Sequence, residues 1–178
     1  KAGGTSLSGQ TISDSVLVEI GDGFSGFHSE NGSEVTLQCG ITGAMANARL
    51  ARFGRRIGPD PSSINSAKIG GIVSNNASGG AFGIQHNSYN TMLGMRLIMA
   101  DGTVVDTRDP SDRQAFAGSH ARFLEQLSNL ATRVRSDNRM SEKIRHKYEL
   151  KNTCGYGINA LIDFTDPFDI LEHLMVGA

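Results

Sequence analysis

The residues best suited to chemistry lie in two glycine-rich stretches. The first, KAGGTSLSG at residues 1–9, places Gly3 and Gly4 before a run of hydroxyl side chains. Successive backbone N–H groups in such a turn can reach a pyrophosphate at close range, where bulkier side chains would hold the phosphates away. Thr5, Ser6 and Ser8 add hydroxyl donors without a formal positive charge. Alone, the segment reads equally well as a flexible surface loop, since it matches neither the Walker pattern nor the Rossmann fingerprint.

The second stretch, KIGGIVSNNASGG followed by AFG, repeats the design. Gly70 and Gly71 open a short apolar turn, Ser74, Asn75 and Asn76 offer polar side-chain atoms, and Gly79, Gly80 and Gly83 permit further close approach. Two such loops are harder to dismiss than one. Upstream, Pro59, Asp60 and Pro61 form a stiff corner, which suits either packing or the wall of a groove. Asp14, Asp106, Asp109 and Asp112 stand in turn-rich contexts and read as turn or cap residues, so no catalytic acid or base is assigned. His86 reads as a surface or structural histidine, with a role at a cofactor as the alternative.

These loops need elements to position them. Ser15–Ile20, SVLVEI, reads as a buried strand, and residues 34–39, EVTLQC, alternate apolar and polar in the manner of a half-buried one. The two are expected to pair. Thr42 is suited to cap a helix running to about Phe53, with Met45, Ala48, Leu50 and Ala51 as its apolar stripe and Gly54 at its stop. The stretch from Arg55 to Gly83 reads as one long irregular segment. Asp101-Gly102 joins residues 92–100 to 103–107 in a hairpin with an expected two-residue turn.

From Ser119 to about Arg135, apolar residues recur at helical spacing, with Arg133 and Arg135 suited to the negative C-terminal end. Lys143, Arg145, His146 and Lys147 predict a short solvated helix, polyanion binding being the alternative. Asp166, Pro167 and Gly177 mark the start and stop of a last helix. Strand runs, a hairpin and peripheral helices together predict an α+β fold with a mainly antiparallel sheet and flanking helices.

A chain of 178 residues speaks for one domain, and its net charge of −1 gives no broad footprint for nucleic acid. No apolar run reaches the length of a bilayer-spanning helix, and no leader is evident, so neither transmembrane insertion nor secretion is expected. Cys39 and Cys154 have no metal-binding spacing, which favours two reduced thiols over a disulfide and a cytoplasmic location. The 22 glycines cluster without a repeat period.

Taken in order, KAGGTSLSGQ, ITGAMANARLARFGRRIGPDPSS, KIGGIVSNNASGG, ADGTVVDT, KNTCGY and MVGA resemble the PCMH-type FAD-binding domain of the vanillyl-alcohol-oxidase flavoproteins, across nearly the whole chain. Within that superfamily the chain is most similar to the FAD-linked D-lactate dehydrogenases and glycolate oxidases. The resemblance implies that Gly3, Gly4, Thr5, Ser6, Leu7, Ser8 and Gly9 wrap the pyrophosphate and that Pro59, Asp60 and Pro61 lie toward the flavin. It also implies that Gly70, Gly71, Ser74, Asn75, Asn76, Gly79 and Gly83 line the rest of the dinucleotide.

Thr5 stands where members with covalent flavin often carry histidine, which implies noncovalent FAD. On this resemblance, residues 1–178 are the larger lobe of such a domain, truncated at both ends and inactive when isolated. A substrate cap belongs to the missing part, as would any iron–sulfur module of the kind that larger members carry, and the substrate implied is a small 2-hydroxy acid such as D-lactate or glycolate. Another substrate of the same superfamily and a noncatalytic nucleotide-binding module are the alternatives. The full-length protein is expected in the cytoplasm, with the inner membrane face as a peripheral station.

Overall fold

A computed structural model describes all residues except 7, 8, 10, 11, 80–82, 153, 154 and 178. The chain divides into two compact units, residues 1–90 and 91–178. Helices and small antiparallel sheets make up both, as an α+β fold requires.

In the first unit, β1 (Phe27–His28) pairs antiparallel with β2 (Thr36–Leu37). Val35, Leu37 and Cys39 turn inward while Glu34, Thr36 and Gln38 face solvent, the alternation that the sequence predicts. The partner differs from the expected one. Ser15–Ile20 forms no strand, and Val16, Leu17 and Val18 are exposed. The β2 rung is taken by Phe27–His28, much closer along the chain and cheaper to bring together.

Helix α1 (Gly43–Leu50) starts at Thr42, whose Oγ1 accepts from the Met45 amide at 3.2 Å. A 3-10 turn (Ala51–Phe53) extends it to Gly54, which closes it in the left-handed region at φ 65°. Its buried face is Gly43, Ala46 and Leu50, so the apolar stripe lies off the expected one and Met45 faces outward. Ile41, Ala46, Leu50 and Ile57 form the core, and a smaller cluster of Ala67, Ile72 and Ala77 shares Ile64 and Ile69 with it. Within the expected irregular stretch, Ile69–Ser74 folds as α2 because Ile72 inserts into that smaller cluster. Helix α3 (Ser88–Thr91) follows.

The second unit opens with the hairpin β3 (Arg96–Ile98) and β4 (Val104–Asp106). Its loop is one residue longer than the two-residue expectation. The Gly102 amide donates to Met99 O at 2.9 Å and the Met99 amide to Thr103 O at 2.8 Å. Only Gly102, at φ 85°, takes the left-handed conformation there, while Asp101 accepts from the Thr103 amide at 2.9 Å. This is a type I turn closed by a glycine bulge.

Helix α4 (Pro110–Ser119) has no counterpart among the expected elements, although Asp109 and Pro110 carry a start signal. It takes Ser119 from the expected helix, so α5 runs Ala121–Ser136. Helix α6 (Asn138–Tyr148) is longer than expected and buries Ser141 and Ile144 while Lys143, Arg145, His146 and Lys147 stay exposed. Short α7 (Ala160–Asp163) is a further addition, and α8 (Pro167–Leu174) begins at Asp166 as expected.

Leu127, Ala131, Val134, Ile144, Leu161, Ile170 and Leu171 join α5 to α8 in one core. Arg135 does not serve the end of its own helix. Its guanidinium donates to Leu161 O at 3.2 Å and Phe164 O at 2.6 Å, covering carbonyls at the end of α7. A second core holds Val105, Phe116, Leu124 and Phe168.

Candidate functional site

Three of the sequence blocks meet in the first unit. A Cβ on Gly3 would lie 2.4 Å from Ser66 O and 3.5 Å from Ala67 Cα, and a Cβ on Gly71 would stand 3.4 Å from Ala2 Cβ. The first glycine loop therefore lies directly on the segment that enters α2. Gly4 takes φ 67° and Gly9 φ 77°, conformations in which L side chains are strained. The amides of Gly3, Gly4 and Thr5 donate to no backbone carbonyl among the described residues. Thr5 and Ser6 are exposed, and Leu7 and Ser8 lie outside the described residues.

The entry to α2 is tied down on its other side. Ile69 and Gly70 donate to Ile41 O and Cys39 O, each at 2.9 Å, and a Cβ on Gly70 would come within 3.1 Å of Cys39 Cβ. Gly70 is thus a packing glycine, whereas Gly71 meets only ordinary contact. Cys39 is a free thiol; Cys154 lies outside the described residues.

The third block is the proline corner. Asp60 bridges Gly79 in parallel, with the Asp60 amide donating to Ser78 O at 3.1 Å. Gly79 has φ 89°, and a Cβ there would lie 2.1 Å from Asp60 O. Pro59 is buried, and the Asp60 carboxylate meets Arg56 at 3.4 Å. The corner is therefore a wall whose inner side rests on the second glycine loop.

The other expected site residues divide. Ser74 and Asn75 are exposed at the end of α2. Asn76 turns inward at φ 43°, and its Oδ1 accepts from the Tyr89 amide at 3.1 Å, so it fastens α3 to the loop. Gly83 is exposed at φ 54°, Gly80 lies outside the described residues, and His86 is exposed.

Two groups have no counterpart in the reading of the sequence. Lys68 precedes α2, and its half-buried Nζ donates to Ile20 O at 2.5 Å. In the second unit, Glu172 and His173 are both buried on α8. Thr107 Oγ1 donates to Glu172 Oε2 and accepts from the Met95 amide at 2.9 Å, while His173 Nδ1 lies 3.5 Å from Glu172 Oε1 and 2.8 Å from Asp169 O. An acid–base pair within the apolar run ILEHL is the signal that could have found them.

Burial pushes the Glu172 carboxyl above its ordinary range, opposed by the Thr107 hydroxyl and the His173 and Arg113 charges, with Asp169 adding to the rise. A carboxyl with a raised folded pKa binds its proton more tightly when folded. The stability that this group contributes is therefore fully present below the ordinary glutamate range and is lost as the pH climbs through the raised value. Glu172→Gln is expected to flatten that decline and to raise the melting temperature more at pH 8 than at pH 5; thermal melts at both values check it.

The amides of Gly3, Gly4 and Thr5, which meet no backbone carbonyl among the described residues, are donors of the kind that a phosphate-bearing ligand accepts from. The sequence profile of the FAD binding domain family matches residues 1–108, and the chain belongs to that family. The chain is 27% identical over 110 residues to a D-2-hydroxyglutarate dehydrogenase of Pantoea ananatis, and 26% over 110 residues to one of Escherichia coli. It is 28% identical over 109 residues to one of Haemophilus influenzae. These matches cover 60–61% of this chain and 11% of each relative, so the chain spans only a small part of the proteins it resembles. No solved structure matches it.

The residues present fit FAD. Gly3 and Gly79 let the first glycine loop close on Ser66 and the second glycine loop close on Asp60 at backbone distance, where a Cβ would fill the contact, and the amides of Gly3, Gly4 and Thr5 are of the type that a pyrophosphate requires. Among the described residues no three His, Cys, Asp or Glu side chains group to hold a metal, and no helix is long and apolar enough to cross a membrane.

Proposed function

We propose that the chain is the dinucleotide-holding part of a flavin-dependent dehydrogenase that oxidises a 2-hydroxy acid. The observation that carries this reading is the meeting of the Gly3–Gly4 loop with the Ser66–Gly71 segment, inside the stretch matched by the FAD-binding family. Substrate class rests on the relatives, which are named D-2-hydroxyglutarate dehydrogenases, so D-2-hydroxyglutarate stands beside D-lactate and glycolate as a candidate.

When bound, FAD supplies the redox chemistry, accepting a hydride from the carbon that bears the hydroxyl. This chain's part is to bind and orient. Gly3, Gly4, Thr5, Ser6, Leu7, Ser8 and Gly9 wrap the pyrophosphate, and Pro59, Asp60 and Pro61 wall the flavin side. Gly70, Gly71, Ser74, Asn75, Gly79 and Gly83 line the remainder, with Asn76 holding the loop from behind through Tyr89. Thr5 offers no imidazole for a covalent tether, which favours noncovalent flavin. No proton acceptor and no carboxylate anchor is assigned among the residues of this chain. A free Cys39 suits a reducing compartment.

The full-length protein is expected to purify with a flavin spectrum, and its oxidised band to bleach under anaerobic mixing with one of the three hydroxy acids. Retained flavin that none of them bleaches would remove the substrate reading and leave the cofactor reading intact. Absence of flavin, with none taken up on titration, would remove both.

A further inference from the structure

Resting on the FAD-binding reading above, we propose that Lys68 supplies the positive charge that meets the pyrophosphate. Lys68 sits where the segments of the cradle cross. Ser66 and Ala67 lie against Gly3, Gly71 faces Ala2, and the Ile20 amide donates to Lys1 O at 2.9 Å while the Ile20 carbonyl receives the Lys68 ammonium. Three stretches far apart in sequence, residues 1–3, Ile20 and Ser66–Gly71, thus meet around Lys68, whose ammonium is held by the Ile20 carbonyl.

Its electrostatics are incomplete without an anion. The Lys68 side chain retains 16% exposure, so its ammonium has lost much of its hydration. A lysine held this way needs acceptors in compensation. One donor goes to Ile20 O. The nearest carboxylate, Asp22 Oδ1, is 3.9 Å away on a fully exposed side chain, too far for a hydrogen bond and screened by water. No other acceptor for the ammonium occurs among the described residues. By contrast, Lys1 is matched by Glu19 at 3.4 Å and Arg56 by Asp60 at 3.4 Å.

A pyrophosphate diester carries two negative charges, and amides and hydroxyls alone would neutralise neither. A partly desolvated ammonium at the rim would meet that charge with donors to spare, which is the strong form of hydrogen bond.

The test uses full-length apoprotein, with FAD and riboflavin as probes, the latter lacking any phosphate. Lys68→Met is expected to weaken FAD binding at least about tenfold, to flatten its dependence on salt and to leave riboflavin binding unchanged. Lys68→Arg is expected to restore most of the loss, and the melting temperatures of the apoproteins should stay close to wild type. Unchanged FAD affinity in Lys68→Met would overturn the proposal. So would an equal loss for FAD and riboflavin with a lowered melting temperature, because that pattern means Lys68 only pins Ile20. A wild-type protein that takes up no FAD fails the underlying reading instead, and is told apart by that control alone.

Discussion

Replacing Gly79 by alanine in the full-length protein is expected to cost about 3 kcal/mol or more and to abolish flavin retention. Two effects coincide at this position. The left-handed backbone at φ 89° penalises any side chain, and the new Cβ would fall 2.1 Å from Asp60 O, a backbone atom that cannot swing aside. The Asp60–Gly79 bridge would open and release the proline corner from the loop. Against a total stability of about 5–15 kcal/mol this is a large fraction.

Gly71→Ala supplies the contrast. Its Cβ meets only Ala2 Cβ at 3.4 Å within helix α2, and alanine is favoured over glycine there by about 0.5–1 kcal/mol. Stability should hold or rise slightly. Urea unfolding and flavin absorbance of both variants check the pair; a Gly79→Ala protein with normal stability and normal flavin would remove the wall from the site.

Phe116→Ala is expected to destabilise the second unit by about 3–5 kcal/mol. Its ring is 2% exposed, stacked on His120 at 4.2 Å and edge-on to Phe168 at 5.9 Å and Phe123 at 6.3 Å. Val105 of the hairpin belongs to the same cluster, so the cavity would loosen the strand as well as α4. Leu130→Ala on the exposed side of α5, at 43% exposure, should change stability by no more than about 0.5 kcal/mol. Denaturant midpoints separate the two, and comparable losses would mean that Phe116 is not the keystone of this core.

Features encoded within a few residues are legible in the amino-acid sequence. Thr42 and Asp166 cap the helices that their positions predict, and Gly54 closes the first of them. Asp101-Gly102 marks a hairpin, because a glycine with positive φ is the local condition for the turn, though hydrogen bonding makes the loop one residue longer. The α+β class and the family follow from the same local signals together with the order of the glycine blocks.

Pairing is not legible in that way. SVLVEI has the composition of a buried strand, yet burial depends on a partner, and the β2 rung goes to Phe27–His28. Ile69–Ser74 reads as loop because of its glycines, and becomes a helix once Ile72 has a cavity to fill. Arg135 looks like a cap for its own helix until α7 places two carbonyls within its reach.

The glycines show the division most plainly. By itself the sequence determined that backbone would approach something closely in both loops, since only glycine allows it. Only the tertiary structure decided which approach is internal. Gly3, Gly70 and Gly79 lie against Ser66, Cys39 and Asp60 of the same chain, while Gly71 keeps ordinary clearance and a Cβ on Gly9 would meet nothing among the described residues. The physical reason is that φ is a local property of a residue, whereas the atom that a missing Cβ would strike is brought there by the rest of the fold.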